Sequence, residues 1–132
     1  MPLRFEIDES RNLAITYAEG VVTDDDLRAH AEKITTVENR PSRELVDFSG
    51  RTGTTVSLDA VRAMAAFLRE GDANKKGGEL ALVGDDDEIF GSLRVFEAHR
   101  DHGSLTIRVF RRRSEALEWL GVAPDEETSD EG

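Results

Sequence analysis

Hydrophobic and polar positions alternate from the start of the chain: Leu3, Phe5 and Ile7 fall on one side, Arg4, Glu6 and Asp8 on the other. A period of two predicts a half-buried strand. Glu9-Ser10-Arg11-Asn12 is turn material, and Leu13, Ile15 and Tyr17 resume the alternation, so a hairpin is expected. Gly20 closes the second strand. The period then changes. Thr23 precedes Asp24-Asp25-Asp26, a hydroxyl cap followed by carboxylates that the positive end of a helix dipole favours. Leu27, Ala31 and Ile34 follow at helical spacing, which predicts a helix over about 23–36.

Leu45-Val46-Asp47-Phe48 reads as a short third strand that runs into a loop with two glycines, Gly50 and Gly53. Ser57 caps a second helix ending near Gly71, and Asp72 to Gly78 is a polar turn. Leu80-Ala81-Leu82-Val83 is apolar on both faces, as a central strand covered on two sides must be. Asp85-Asp86-Asp87 starts a third helix with Ile89, Phe90, Leu93 and Phe96 as its stripe. Leu105, Ile107 and Val109 alternate in a fifth strand, and Ser114 is placed as the cap of a last helix that Gly121 stops. The order β-β-α-β-α-β-α-β-α argues for an α/β fold: a mixed, partly parallel five-stranded sheet with four helices. The interior place belongs to 80–84 and a place nearer an edge to 3–8.

The chain has 132 residues, one domain's worth, of which 38% are hydrophobic and 34% charged. Its longest apolar run, Ala63 to Leu68, is far too short to cross a membrane. Charges at Arg4, Glu6 and Asp8 leave no room for a signal peptide's apolar core. There is no cysteine, so disulfides, thiolate metal sites and thiol nucleophiles are excluded. A cytoplasmic globule is the expectation. Seventeen basic against 28 acidic residues give a net charge of −11, which makes nucleic acid a poor partner. Residues 123–132 hold five of the acids and are expected to be an unstructured acidic extension of a single domain over 1–122.

Chemistry-bearing patterns are few. In the loop, Gly50 and Gly53 allow unusual backbone conformations, Thr54, Thr55 and Ser57 offer hydroxyls, and Arg51 supplies a counter-charge. That set reads either as an ordinary strand-to-helix turn or as an anion or ligand loop at a helix N-terminus. It lacks P-loop spacing. On the second helix, Val61, Met64, Ala65 and Leu68 form the core stripe. Ala60, Ala63 and Phe67 lie together on nearly the opposite side, covered by a neighbouring helix or open to a partner. An Asp at 57 would keep a capping acceptor, so the fold is expected to tolerate it. His99 and His102 share one helix side but make only two ligands, so no metal is assigned. His30 reads as a packed histidine, the triple aspartates as caps, and Arg108, Arg111, Arg112 and Arg113 as a solvated cluster. No nucleophile motif and no isolated carboxylate stands out, so neither an enzyme nor a cofactor is expected.

Three stretches carry a family resemblance: Val46-Asp47-Phe48-Ser49, Glu88-Ile89-Phe90-Gly91, and above all Ile107-Arg108-Val109-Phe110-Arg111 followed by Glu115 to Gly121. Together with the element order they resemble the bacterial SpoIIAA-like group of STAS domains, over roughly residues 3–122. The resemblance implies a non-catalytic regulatory module that meets another protein, such as a regulatory kinase or anti-sigma factor, or itself as a homodimer. It also implies a phosphoacceptor serine at the second helix, which falls on Ser57. This chain reads Val56-Ser57-Leu58-Asp59 there, without the family's Ser-Gly pair. Part of the group is similar to CRAL-TRIO lipid-binding folds, so a small-molecule or lipid carrier is the alternative.

Overall fold

The computed structural model describes residues 3–38, 40–54, 56–71, 78–100 and 105–125. Its elements are β1 (Leu3–Asp8), β2 (Leu13–Ala18), β3 (Gly20–Val22), α1 (Asp24–Ile34), β4 (Arg43–Asp47), β5 (Arg51–Thr54), α2 (Leu58–Gly71), β6 (Gly78–Val83), α3 (Asp87–Arg100), β7 (Leu105–Phe110) and α4 (Arg113–Leu120). Five strands form one sheet in the order β1-β2-β4-β6-β7. β1 runs antiparallel to β2, and the other pairs are parallel. β6 is interior and β1 is an edge, as their hydrophobic patterns require.

The period of two sorts side chains between two cores. Leu80 and Leu82 join Val22, Leu27, Ile34, Val61, Leu68 and Phe96 beneath α1, α2 and α3. Ala81 and Val83 join Leu13, Ile15 and Leu45 on the other face, against Ala116, Leu117 and Leu120 of α4. A strand caught between two such layers has no polar face to spare. Among the described residues, no helix is long and apolar enough to cross a membrane.

Several element ends follow directly from local chemistry. Thr23 and Asp26 form a reciprocal capping box: the Asp26 N–H donates to Thr23 Oγ1 (3.2 Å) and the Thr23 N–H to Asp26 Oδ2 (2.9 Å). Asp86 Oδ1 accepts the Ile89 N–H at 2.9 Å, so that aspartate run is a cap too. Gly121 ends α4 in the left-handed region at φ 74°, where a Cβ would be strained.

Other details differ from the sequence reading. Ser114 lies inside α4. Arg112 takes the N-cap position, with no side-chain cap bond. Phe90, placed in the core stripe of α3, is only partly buried and lies under the Arg111 guanidinium, 4.2 Å from its ring centre. The stretch 51–54, expected as loop, is a strand paired with β3 in a separate two-stranded sheet. Finally, Ala123 and Asp125 of the acidic extension are anchored: the Ala123 carbonyl accepts from Arg11 (2.9 Å), and Asp125 pairs with Arg11 and Arg113. Residues 126–132 lie outside the described residues.

Candidate functional site

The candidate loop begins where the chain turns out of β4. A Cβ on Gly50 would lie 2.8 Å from the Ala18 carbonyl oxygen, so the close approach of this turn to the end of β2 demands glycine. The chain then pairs in parallel with β3, matching Gly20 to Arg51, Val21 to Gly53 and Val22 to Thr54. Residues 51–54 of the expected loop therefore belong to a strand. Gly53 has no left-handed φ, and a Cβ there would meet only Val21 Cγ2 at 3.8 Å, so its expected conformational role is not used. The side chains of Arg51, Thr52 and Thr54, and all of Thr55, lie outside the described residues.

Ser57 is the cap that its spacing predicts. Its Oγ accepts the Ala60 N–H at 3.1 Å. The same hydroxyl donates to Asp24 Oδ2 at 3.0 Å, and the Ser57 N–H donates to Asp24 Oδ1 at 2.8 Å. Asp24 opens α1, so one carboxylate serves the positive ends of two helices. The anion that the start of α2 invites is already supplied by the chain. Ser57→Ala is expected to cost about 1 kcal/mol of stability. Ser57→Asp, tolerable on cap chemistry alone, would set a second carboxylate against Asp24. Thermal melts should show a larger loss for Ser57→Asp than for Ser57→Ala, largely recovered by adding Asp24→Asn.

From this cap α2 presents two apolar faces. Val61, Ala65 and Leu68 are buried, and Met64 packs against the same core. Ala60 is partly buried, Ala63 is exposed, and Phe67 keeps 44% of its surface accessible. No neighbouring helix closes over that outer face among the described residues. Among the described residues, four large hydrophobics stand exposed: Ile7, Val21, Leu58 and Phe67. Three of the four lie on β3 and α2. The sequence pattern brings Ser57, Ala60, Ala63 and Phe67 onto one stretch of helix, with Val21 on the small sheet that leads into it.

Of the arginine run, Arg108, Arg111 and Arg112 are exposed as a solvated cluster would be, but Arg113 is not. Arg113 is the hub of a polar network on the α4 side of the sheet. It reaches Asp125 from Nε (2.6 Å) and Nη2 (3.0 Å), Asp47 from Nη1 (3.1 Å) and the Tyr17 hydroxyl from Nη2 (3.4 Å). Its bonds hold the Asp125 carboxyl below the usual carboxylate range. Arg11 joins through Asp125 Oδ1 (3.3 Å) and pairs with Asp8 at 2.7 Å. Hydrogen bonds from Ser10 and then Arg11 lower the Asp8 pKa to about 2. Arg111, by contrast, lies on the surface with Asp87. The sequence carries no local signal for this network, because Asp47 is 66 residues from Arg113. Of the histidines, His99 Nδ1 lies 3.0 Å from the Val95 carbonyl within its own helix. His102 lies outside the described residues. His30 is buried, 3.3 Å from Thr16 Oγ1 and tilted against Phe5. Burial, with Lys33 and Arg40 nearby, lowers its pKa to about 4.

No protein-family model matches the chain, and no curated protein matches it. Solved structures do. An uncharacterised DUF3478 protein with a SpoIIAA-like fold from Shewanella loihica PV-4 aligns at 20% identity and TM-score 0.54, over 89% of this chain and 91% of that one. The anti-sigma factor antagonist SpoIIAA in its unphosphorylated form aligns at 14% identity and TM-score 0.56, over 90% and 97% of the two chains. At these identities the likeness speaks to architecture alone, and the matched lengths leave little of either chain aside. The strand order, the single antiparallel edge and the helices on both faces make this a SpoIIAA-like α/β fold.

Proposed function

We propose that the protein is a non-catalytic STAS-type regulatory module that docks another protein on the outer face of α2. The observation that carries this reading is Phe67: a phenylalanine 44% exposed beside exposed Ala63, on a helix whose other face is fully committed to the core. An aromatic anchor flanked by small residues lets a partner's side chains approach the helix closely, which is how a few residues come to dominate an interface. The likeness in fold to an anti-sigma factor antagonist supports a regulatory partner of the anti-sigma or kinase type. Ser57 lies at the rim of this face, and a phosphate on its hydroxyl would confront Asp24, now 3.0 Å away. Charge placed there would open the α1–α2 latch and alter the docking face together.

Phe67→Asp tests the reading. Sedimentation of the chain with an anti-sigma-type kinase encoded beside it should show a complex that the variant weakens at least tenfold, with the melting temperature of the free chain nearly unchanged. A variant that melts much lower while binding as before would make Phe67 a core residue. A concentration-dependent dimer of the wild type, lost in Phe67→Asp, would assign the face to a second copy.

A further inference from the structure

Two arginines from opposite ends of the chain converge on one carboxylate. Arg113, at the start of α4, grips both oxygens of Asp125, from Nε at 2.6 Å and Nη2 at 3.0 Å. Arg11, in the turn between β1 and β2, reaches Asp125 Oδ1 at 3.3 Å. The same Nη1 donates to the Ala123 carbonyl at 2.9 Å. The pair therefore reads a backbone carbonyl and a carboxylate two residues later, which is recognition of a peptide and not of a lone ion. Pro124 stands between the two acceptors. Its ring fixes its own φ and confines Ala123 to extended backbone, so their spacing is preset.

Each guanidinium is also held by the body of the fold, independently of this segment. Arg11 Nε donates to Asp8 at 2.7 Å, and Asp8 accepts the Ser10 hydroxyl at 2.7 Å. Arg113 Nη1 donates to Asp47 at 3.1 Å, and Asp47 is fixed in turn by the Ser49 N–H and hydroxyl. One edge of each guanidinium is anchored, so the other is aimed in advance, and a preorganised receptor loses little freedom on binding. With the segment in place, the Arg11 and Arg113 side chains are only 16% and 21% exposed. The segment's own hold elsewhere is light. Ala123 and Pro124 are exposed, and Val122 is only partly buried against the α4-side core.

We propose that Arg11 and Arg113 form a receptor for an acidic peptide segment, occupied in cis by Ala123-Pro124-Asp125, which an aspartate-bearing segment of a partner protein enters by displacing it. The cis segment sets the threshold. A segment tethered to its own receptor competes at an effective concentration on the order of millimolar, so a free peptide binds far more weakly while Asp125 is in place. The site lies on the α4 side of the sheet and stands independently of the docking face on α2.

The test uses the full chain and two end-blocked hexapeptides: the sequence of residues 122–127, Val-Ala-Pro-Asp-Glu-Glu, and the same with asparagine in place of its aspartate. Binding is read from the Nε–H resonances of Arg11 and Arg113. The Asp125→Ala chain should bind the aspartate peptide at least tenfold more tightly than the wild type does, and at least tenfold more tightly than it binds the asparagine peptide. Adding Arg11→Gln should weaken that binding at least tenfold. A folded Asp125→Ala chain that binds neither peptide, or both equally, would overturn the proposal. So would equal affinity of wild type and variant for the aspartate peptide, which would place it elsewhere on the surface. If Asp125→Ala fails to fold, the wild type decides alone: several millimolar aspartate peptide should move the Ala123 and Asp125 amides as the cis segment leaves, and the asparagine peptide should not. Amides that stay in place, or that move equally with both peptides, would overturn it.

Discussion

Replacing Arg113 with methionine is expected to remove about 3 kcal/mol of stability, the scale for breaking a buried pair from one side. Methionine keeps most of the packing volume but strands two carboxylates, Asp47 with 8% of its side chain exposed and Asp125 with 10%. Asp47 retains the Ser49 N–H and hydroxyl, at 2.9 and 2.6 Å, so Asp125 bears more of the loss. In a domain of this length the melting temperature should fall by about 10 °C. Arg111→Met is the matched control. Its partner Asp87 is 92% exposed, and pairs of that kind contribute well under 1 kcal/mol. Denaturant melts of the two variants should separate cleanly. Equal, small losses would make the network decorative.

A second large effect is in the pH dependence. His30 titrates near 6.5 when unfolded but at about 4 in the fold, because burial disfavours the imidazolium. Between those values the unfolded chain binds a proton that the folded chain refuses, so stability falls as pH drops from about 6.5 to 4. The span corresponds to a loss on the order of 3 kcal/mol. Asp8 and Asp125 are also shifted down, but from a lower starting value. Their contributions are intact above the ordinary aspartate pKa of 3.8 and are lost only below it, so the two windows scarcely overlap. His30→Gln keeps a neutral polar group near Thr16 and removes the titration. Unfolding free energies of wild type and variant, measured at intervals from pH 7.5 to 4, should differ in slope in that window. Parallel curves would mean that His30 is hydrated or paired in the fold.

What the sequence made legible was local. The alternation of Leu3 to Asp8, the all-apolar Leu80 to Val83, and the Thr23–Asp26 and Ser57–Ala60 caps are set by residues within a few positions of each other. The two-faced wheel of α2 was equally visible, because helical spacing alone separates Val61, Ala65 and Leu68 from Ala60, Ala63 and Phe67. β3 and β5 were hidden for the opposite reason. Strands of three and four residues carry no period, and Arg51-Thr52-Gly53-Thr54 has turn composition until Val21 and Val22 pair with it. Asp24 and Ser57 are 33 residues apart, so each looked like the cap of its own helix and not like one latch. Arg113 looked solvated beside its basic neighbours, since nothing near it in sequence announces Asp47.

The docking face proposed for this chain is the outer face of α2. Its most direct test is a map of backbone amide shifts in the full chain as an anti-sigma-type kinase is added. The perturbed amides should centre on Ser57, Ala60, Ala63 and Phe67 and extend to Val21, with Trp119 and Leu120 on the α4 face silent. Perturbation centred on α4, with α2 unchanged, would contradict it.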